Sequence, residues 1–318
     1  MATVLIYGSG AIGSLVGYLL SEINELEDKA IENVGLLGRK SHIESIKKSG
    51  LKINFFNGQK TSNFNYLFSS LDELDKSDFS PDIVVVCVKT HSLSKIRYEI
   101  IESGILGDRL KDASFILLMN GMGNAETFDL PVKIFEGITL NGVVFSKDGL
   151  IELKGKGKTI FESEIPEGIK QFMKARFEEK GFEIEFTSDF KSQQWNKLFA
   201  NAVINPITAL TREKNGIVLS KHLEETVGRI VDECTNVAEE EGLALDRSEV
   251  LKFVYSVAEK TSMNTSSMLQ DVIKGNRAEI DSINGYVIRL ARKHAIDVPV
   301  NETLYALVKS IECKSAEK

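Results

Sequence analysis

Residues 3–20 read TVLIYGSGAIGSLVGYLL, and the predicted fold class follows from this segment. The short apolar run TVLIY at residues 3–7 is typical of a buried strand, and the apolar pattern from Ala11 to about Glu25 predicts a helix. GSGAIG lies in the turn between them, where such glycines let the chain bend sharply and let a pyrophosphate reach the helix N-terminus. We therefore predict that this turn binds a dinucleotide through Gly8, Ser9, Gly10, Ala11, Ile12 and Gly13.

The rest of the first half alternates short apolar runs with helical segments, a pattern typical of a parallel sheet covered by helices. Buried strands are predicted at residues 34–37, 82–88, 114–119 and 132–135, and added antiparallel strands at residues 138–145, 151–153 and 182–186. After Thr187 long helical patterns take over, at residues 189–211, 222–241, 248–260 and 277–294. The sequence thus predicts an α/β fold, with an N-terminal Rossmann-type dinucleotide-binding domain over residues 1–187 and a mostly α-helical C-terminal domain over residues 188–318.

Composition narrows the possible partners and surroundings. The 318 residues include 39 Lys and Arg against 46 Asp and Glu, a formal net charge of −7. Such a chain lacks the broad basic surface that nucleic acid or an anionic membrane requires, so we predict neither as a partner. Residues 1–21 carry no charge, but several glycines interrupt them, which disfavours a membrane span or a signal peptide. Three scattered cysteines and four histidines predict a cytoplasmic protein without a metal site.

The end of the second predicted strand indicates which dinucleotide is bound. It reads GLLGRK, residues 35–40, and Arg39 and Lys40 stand where NAD-binding sites usually place an acidic residue. Because Arg39 can pair with a 2′-phosphate, we predict that the cofactor is NADPH (NADP⁺). The alternative is a solvated Arg–Lys pair without a binding role.

Two further strand ends carry polar residues at the sheet edge where α/β folds bind ligands. VCVKT, residues 86–90, places Lys89 there, and MNGMG, residues 119–123, places Asn120 there. We predict that Lys89 binds the cofactor and that Asn120 binds the cofactor or the substrate. A solvated lysine and a plain Asn-Gly turn are the alternatives.

The helical half contains polar residues at helical spacing. Lys197, Asn201 and Asn205 are four residues apart and share one helix face beside an uncharged stretch, which predicts a polar cleft or an internal hydrogen-bonded network. Asn264 and Ser267 share a face if their segment is helical. Glu279 lies at the edge of the apolar stripe of a predicted helix, where a surface glutamate is the ordinary alternative.

Taken together, these motifs resemble the ketopantoate reductase family over about residues 3–308. The shared motifs are GSGAIG, VKT, NGMG, K-L-x-x-N-x-x-x-N-P-x-T-A-L, S-S-M-L-Q-D and E-I-D-x-I-N-G. Members of this family are oxidoreductases that reduce 2-dehydropantoate, a small 2-oxo acid, to pantoate with NADPH, on the way to pantothenate and coenzyme A. The resemblance implies the same fold, cofactor and activity for this chain.

The resemblance also implies roles for single residues. Lys197 matches the catalytic lysine of the family, and Glu279 matches its acidic active-site residue. The matching substrate positions are Asn120, Asn201, Asn205, Asn215, Asn264 and Ser267, and the matching cofactor positions are Arg39, Lys89 and Asn120. Residues 137–158 depart most from the family pattern, and no role is transferred to them.

Two other functions stay open at this point. The chain could be another NAD(P)-dependent 2-oxo-acid or opine-type dehydrogenase of the same architecture, or a non-catalytic NADPH-binding sensor. A sensor would have no need of both Lys197 and Glu279, whereas an enzyme would. The sequence does not fix the oligomeric state, for which a homodimer is one candidate.

Overall fold

The computed structural model describes residues 2–22 and 31–316, which form two compact units. The first unit comprises Met1–Met119 and Asn124–Phe190, and the second comprises Asn120–Gly123 and Lys191–Lys318. The sequence predicts a boundary after Thr187. It does not predict that the short segment Asn120–Gly123 belongs to the second unit.

The first unit alternates strands with helices. Its strands are β1 Val4–Tyr7, β2 Ile31–Leu37, β3 Leu51–Phe55, β4 Gly58–Ser62, β5 Phe64–Phe68, β6 Ile83–Val86, β7 Ser114–Leu118, β8 Lys133–Thr139, β9 Gly142–Lys147, β10 Leu150–Gly155, β11 Thr159–Glu162 and β12 Ile184–Thr187. Its helices are α1 Ala11–Leu20, α2 Lys40–Ser49, α3 Leu71–Asp75, α4 Leu93–Glu102, α5 Ile105–Asp108, α6 Asn124–Phe128 and α7 Glu167–Glu179. The first predicted helix is too long: α1 ends at Leu20, because Ser21 has an extended conformation (φ −67°, ψ 154°), and the predicted end at Glu25 itself lies outside the described residues.

An eight-stranded sheet in the order β12-β11-β8-β7-β6-β1-β2-β5 organises this unit. The six strands from β8 to β5 are parallel to one another. Val4 and Ile6 of β1 join one buried cluster, whereas Leu5 and Tyr7 join another. Because successive side chains point to opposite faces of a sheet, both faces are covered, as the continuous apolar runs predict. The predicted Rossmann-type α/β fold is confirmed.

Two of the predicted added strands differ in the structure. The segment 138–145 is not one strand, because β8 ends at Thr139 and β9 begins at Gly142. Asn141 between them is buried and donates to Thr139 Oγ1 at 2.9 Å, while its Oδ1 accepts from the Gly157 N–H at 3.0 Å. The segment 182–186 becomes β12, which pairs parallel with β11 and not antiparallel with a neighbour. The intervening helix α7 carries the chain back across the sheet, which makes a parallel return possible.

A second, four-stranded sheet has the order β4-β3-β10-β9. In it β10, which covers the predicted strand 151–153, pairs antiparallel with β9 but parallel with β3. Ile53 of β3 and Ile151 of β10 are fully buried in the same cluster as Val4 and Ile6. The four-stranded sheet and one face of the main sheet therefore share a buried apolar core.

The second unit is helical. Its helices are α8 Phe190–Thr211, α9 Glu224–Glu240, α10 Arg247–Lys260, α11 Ser267–Lys274, α12 Asn284–His294 and α13 Pro299–Ala316, and its 3₁₀ turns are Asn215–Leu219, Lys221–Leu223 and Ile280–Ser282. Trp195 and Phe199 of α8 are almost fully buried and pack in one cluster with apolar residues of α9, α10 and α12. Over the described residues, no helix is long and apolar enough to cross a membrane.

The predicted helix over residues 277–294 is wrong in its first part. Ile283 has φ −108° and ψ −95°, which is not a helical conformation, so the segment divides into the 3₁₀ turn Ile280–Ser282 and α12. Glu279 precedes that turn and does not lie on a helical stripe. This break frees Glu279 to take a position that a regular helix would not give it.

Candidate active site

The glycine turn between β1 and α1 has the tight geometry that its sequence predicts. Gly8 has a φ of +98°, a conformation that residues with a side chain rarely adopt. A Cβ at Gly8 would lie 2.5 Å from Cγ1 of Val88 and 2.9 Å from the carbonyl oxygen of Cys87. A Cβ at Gly13 would collide with the carbonyl oxygen of Gly8. Both positions therefore require glycine.

The same turn offers space and donors for an anion. Apart from Gly10 itself and its two chain neighbours, no described residue has an atom within 4 Å of the place that a Cβ of Gly10 would take. Helix α1 begins at Ala11, followed by Ile12, and its first turn contains no acidic residue. Ser9 Oγ is buried and has no hydrogen-bond partner among the described residues. Open space, a helix N-terminus and an unpartnered hydroxyl fit the pyrophosphate of a dinucleotide.

Arg39 lies directly after β2 and before α2. Its side chain is exposed, and its guanidinium carbon is 4.9 Å from the ring centroid of Phe145 in β9. No carboxylate in the described part of the chain forms an ion pair with it. A guanidinium in this setting fits a phosphate group, because its N–H donors lie in one plane and match phosphate oxygens.

Lys89 is half-buried just before a 3₁₀ turn, Thr90–Ser92.

The segment after β7 packs against the 3₁₀ turn Ile280–Ser282 within the second unit. The Met122 N–H donates to the carbonyl oxygen of Ser282 at 3.1 Å. Gly121 has a φ of +76°, and a Cβ there would lie 2.6 Å from that same oxygen. The glycine therefore allows the backbone to approach Ser282 closely, which fixes the neighbouring Asn120.

Asn120, Glu279 and Lys197 come together in the second unit. The Asn120 Nδ2 donates to Glu279 Oε2 at 3.0 Å, and Glu279 is only 5% exposed. Burial lowers the pKa of Lys197 from 10.5 to about 8, and the negative charge of Glu279 opposes this shift. A lysine with such a pKa is a cation at neutral pH that can give up its proton, which is what a general acid requires.

Helix α8 presents the predicted polar face. Lys197 and Asn201 are half-buried, and Asn205 is 5% exposed. The helix runs without interruption from Phe190 to Thr211, although it contains Pro206. Because all three polar residues lie on this one helix, their spacing of four residues places them along a single face.

Asn284 compensates for Pro206. A proline has no N–H, so Pro206 cannot donate to the carbonyl oxygen of Ala202, four residues earlier. The Asn284 Nδ2 donates to that oxygen instead, at 3.0 Å, and also to Asn301 Oδ1 at 2.9 Å. Asn284 is fully buried. The asparagine of the I-N-G motif therefore completes the helix that carries Lys197.

Thr208 connects α8 to the beginning of α11. Its hydroxyl lies 2.6 Å from Ser266 Oγ, and Ser266 caps α11 by accepting from the Leu269 N–H at 3.1 Å. The helix starts at Ser267, so Asn264 precedes it and the two residues do not share a helical face. The condition for a shared face, a helical segment, is therefore not met, because Ser266 is the N-cap and the helix begins after it. Both Asn264 and Ser267 are exposed.

Asn215 adjoins Asn264. The Asn215 main-chain N–H donates to the Asn264 carbonyl oxygen at 3.0 Å, and its Nδ2 donates to Thr261 Oγ1 at 3.0 Å. Its Oδ1 is buried and has no partner within residues 2–22 and 31–316. A buried acceptor without a partner is costly, which makes this oxygen a candidate acceptor for a ligand group.

Sequence reasoning missed the residues that support this site. Asn284, Thr208 and Ser266 all lie inside the motifs, but none was assigned a role. Pro206 is the signal for Asn284: a proline inside a helical pattern predicts a lost hydrogen bond and a kink, whereas here the helix continues and an outside donor serves the Ala202 carbonyl group. The described residues contain no group of three or more His, Cys, Asp or Glu that could hold a metal ion.

Comparisons with known proteins agree over both units. The family model "Ketopantoate reductase PanE/ApbA" matches residues 4–164, and the model "Ketopantoate reductase PanE/ApbA C terminal" matches residues 189–312. The 2-dehydropantoate 2-reductase of Pyrococcus horikoshii is 33% identical over 314 residues, which cover 97% of both chains.

Solved structures show the same fold. A PanE/ApbA family ketopantoate reductase from Ralstonia eutropha JMP134 superposes with a TM-score of 0.86 and 25% identity, covering 99% of both chains. A D-mandelate dehydrogenase with NADH and anilino(oxo)acetate superposes with a TM-score of 0.85 at 23% identity, also over 99% of both chains. The second likeness concerns the fold alone, so the fold by itself does not select a substrate.

Proposed function

Since the chain belongs to the ketopantoate reductase family, we propose that it catalyses the NADPH-dependent reduction of 2-dehydropantoate to (R)-pantoate, a step in pantothenate and coenzyme A biosynthesis. The observation that carries the proposal is the hydrogen bond from Asn120 to the buried Glu279, whose charge acts on Lys197. Reduction of a ketone requires a proton donor and a group that orients the substrate, and these side chains can supply both.

The cofactor proposed is NADPH. The turn from Gly8 to Gly13 would hold its pyrophosphate, with the unpartnered Ser9 hydroxyl as a donor. Arg39 would pair with its 2′-phosphate, and Lys89 and Asn120 would bind the remainder of the cofactor. When bound, the nicotinamide supplies the hydride for the carbonyl carbon of the substrate.

Lys197 is the proposed proton donor. Its ammonium group would stabilise the negative charge that develops on the substrate's carbonyl oxygen and then transfer a proton to it. A pKa of about 8 suits this role, because the group is protonated at neutral pH yet releases its proton more readily than an exposed lysine.

Glu279 is the proposed partner of the substrate's 4-hydroxyl group and of Lys197. Its carboxylate would accept a hydrogen bond from the hydroxyl, while Asn120 keeps the carboxylate oriented. Neutral side chains would bind the rest of the substrate without adding negative charge near its carboxylate: Asn201, Asn205, Asn215, Asn264 and Ser267.

Location and assembly are also part of the proposal. The sparse, scattered cysteines support a reducing compartment, and we propose the cytoplasm. We further propose a homodimer, which light scattering in solution would report as twice the mass of one chain.

The test is NADPH oxidation, followed by absorbance, with 2-dehydropantoate and a panel of simpler 2-oxo acids, together with identification of the product. The expected result is turnover with 2-dehydropantoate at the highest kcat/KM of the panel and formation of pantoate. A higher kcat/KM for another 2-oxo acid would identify a different dehydrogenase. Tight NADPH binding without turnover of any acid would identify a sensor.

A further inference from the structure

We propose that Phe145 is a specificity-determining residue that favours NADPH over NADH, because its ring holds the guanidinium of Arg39 where a 2′-phosphate would bind. The inference rests on the proposed function and deepens its cofactor site. It assigns a role to one residue of the segment 137–158, to which the family resemblance transfers none.

The first observation is the stacking of Arg39 on Phe145. The guanidinium carbon lies 4.9 Å from the ring centroid, within the range of a cation–π interaction. A ring contact of this kind does not use the guanidinium N–H groups as hydrogen-bond donors. Those donors are the ones that bind a phosphate in a bidentate manner.

The second observation is that the Phe145 ring is itself held in place. The His42 ring packs against it with centroids 4.9 Å apart. His42 Nδ1 accepts from the Gly149 N–H at 2.9 Å, in the turn that joins β9 to β10. His42 is 1% exposed, so this contact anchors the β9–β10 hairpin in the interior of the first unit.

The same histidine reaches the glycine turn. Because Nδ1 accepts a hydrogen bond, the neutral ring carries its proton on Nε2, which lies 3.2 Å from Ser14 Oγ. The Ser14 hydroxyl then donates to the carbonyl oxygen of Ser9 at 3.0 Å. One buried side chain thus connects the hairpin that carries Phe145 to the turn that would bind the pyrophosphate.

The physical consequence is a lower entropic cost of binding. An exposed arginine samples many rotamers and loses that freedom when it binds an anion. Stacking on a ring that is already fixed removes part of this freedom before the cofactor arrives. Only a cofactor with a 2′-phosphate benefits, because NADH offers Arg39 no such group.

The test measures binding directly, by calorimetric titration of NADP⁺ and NAD⁺ into the wild type, Phe145→Leu, Arg39→Ala and the double variant. We expect Phe145→Leu to weaken NADP⁺ binding by about two- to fivefold, the range of an exposed cation–π contact. NAD⁺ binding should stay unchanged. In the Arg39→Ala background the Phe145→Leu change should have no further effect on either nucleotide, and Phe145→Tyr should retain the wild-type preference.

Phe55→Leu is the matched control, because Phe55 belongs to the same four-stranded sheet but packs on Tyr18 at 5.6 Å. It should leave both affinities unchanged. Equal weakening of NADP⁺ and NAD⁺ in Phe145→Leu, or no change in either, would overturn the inference while the proposed function stands. A wild-type protein that binds both nucleotides equally would contradict the proposed NADPH dependence itself.

Discussion

Among single residues, Lys197 is the proposed proton donor. Two effects act on its pKa in opposite directions: burial disfavours the ammonium form, and the charge of Glu279 favours it. Burial is the larger effect, because the pKa falls from 10.5 to about 8. The balance leaves a group that is mostly protonated at neutral pH and can still release its proton.

Replacing Lys197 with alanine should lower kcat for reduction by about 10² to 10⁴, the usual contribution of a general acid. NADPH affinity, measured by titration, should stay near that of the wild type because the glycine turn and Arg39 are unchanged. Lys191→Ala is the matched control: Lys191 lies on the same helix, but its Nζ donates to the carbonyl oxygen of Glu241. Wild-type kcat in Lys197→Ala would exclude Lys197 as the proton donor.

The pH dependence of kcat tests the coupling between Lys197 and Glu279. In the wild type, kcat for reduction should fall as the pH rises through about 8, because the ammonium loses its proton. Glu279→Gln removes the charge that raises the pKa of Lys197, so the alkaline limb of the pH profile, where kcat falls, should move to lower pH. An alkaline limb that stays in place, or moves to higher pH, would show that Glu279 does not act on the proton donor.

At the scale of elements, helix α8 depends on a side chain from another segment. Pro206 leaves the Ala202 carbonyl group without its helical donor, and Asn284 replaces that donor. The face that carries Lys197 and Asn201 is therefore stabilised by the start of α12. This arrangement links two of the family motifs through one hydrogen bond.

Asn284→Leu should lower the free energy of unfolding by about 1–3 kcal/mol, because it leaves the buried Ala202 carbonyl oxygen without a partner. Combining it with Pro206→Ala should recover part of that loss, since position 206 then has a main-chain N–H for the same oxygen. Denaturant unfolding of both single variants and the double variant measures the coupling. If the changes in the free energy of unfolding of the two single variants simply add in the double variant, Asn284 does not compensate for Pro206.

His42 of α2 should make stability depend on pH. Burial, the largest effect, lowers its pKa in the folded state to about 4, against 6.5 when unfolded. Between these two values the unfolded state binds a proton that the folded state does not, so stability rises with pH across this window. His42 thus contributes roughly 3 kcal/mol to the free energy of unfolding. This contribution is complete above about pH 6.5 and is lost as the pH falls towards 4.

The measurement is urea unfolding of the wild type and His42→Asn at several pH values from 4 to 7. Carboxylates that titrate in the same range contribute equally to both proteins, so the difference isolates His42. The wild type should show the steeper rise with pH. Equal slopes in the two proteins would contradict the buried neutral histidine.

At the scale of the whole molecule, the parallel sheet and the helical second half could be predicted because their signals are local. Runs such as 82–88 are apolar on both faces, and the glycine turn has a spacing that few other structures require. The four-stranded sheet was largely missed. Its strand β4, GQKTS, is exposed along almost its whole length and therefore has no apolar pattern to detect.

The sequence motifs name the members of the candidate site, but not the residues that support them structurally. Lys197, Glu279 and Asn120 were named from motifs, and the structure brings them together. The predicted helical position of Glu279 was wrong, because residues 280–282 form a 3₁₀ turn, which accepts a hydrogen bond from the Met122 N–H through the Ser282 carbonyl oxygen. Contacts between segments more than a hundred residues apart leave no periodic pattern in a single sequence.

The proposed substrate and the role of Glu279 are tested together by two acids that differ by one hydroxyl group. It is the ratio of kcat/KM for NADPH-dependent reduction of 2-dehydropantoate and of 3,3-dimethyl-2-oxobutanoate, measured with the wild type and Glu279→Gln. We expect the wild type to favour 2-dehydropantoate by about one to two orders of magnitude, because its hydroxyl group pairs with the buried Glu279 carboxylate, and the variant to lose most of that preference. Equal values for the two acids in the wild type would contradict the contact between Glu279 and the hydroxyl group, and no reduction of 2-dehydropantoate would contradict the proposed function.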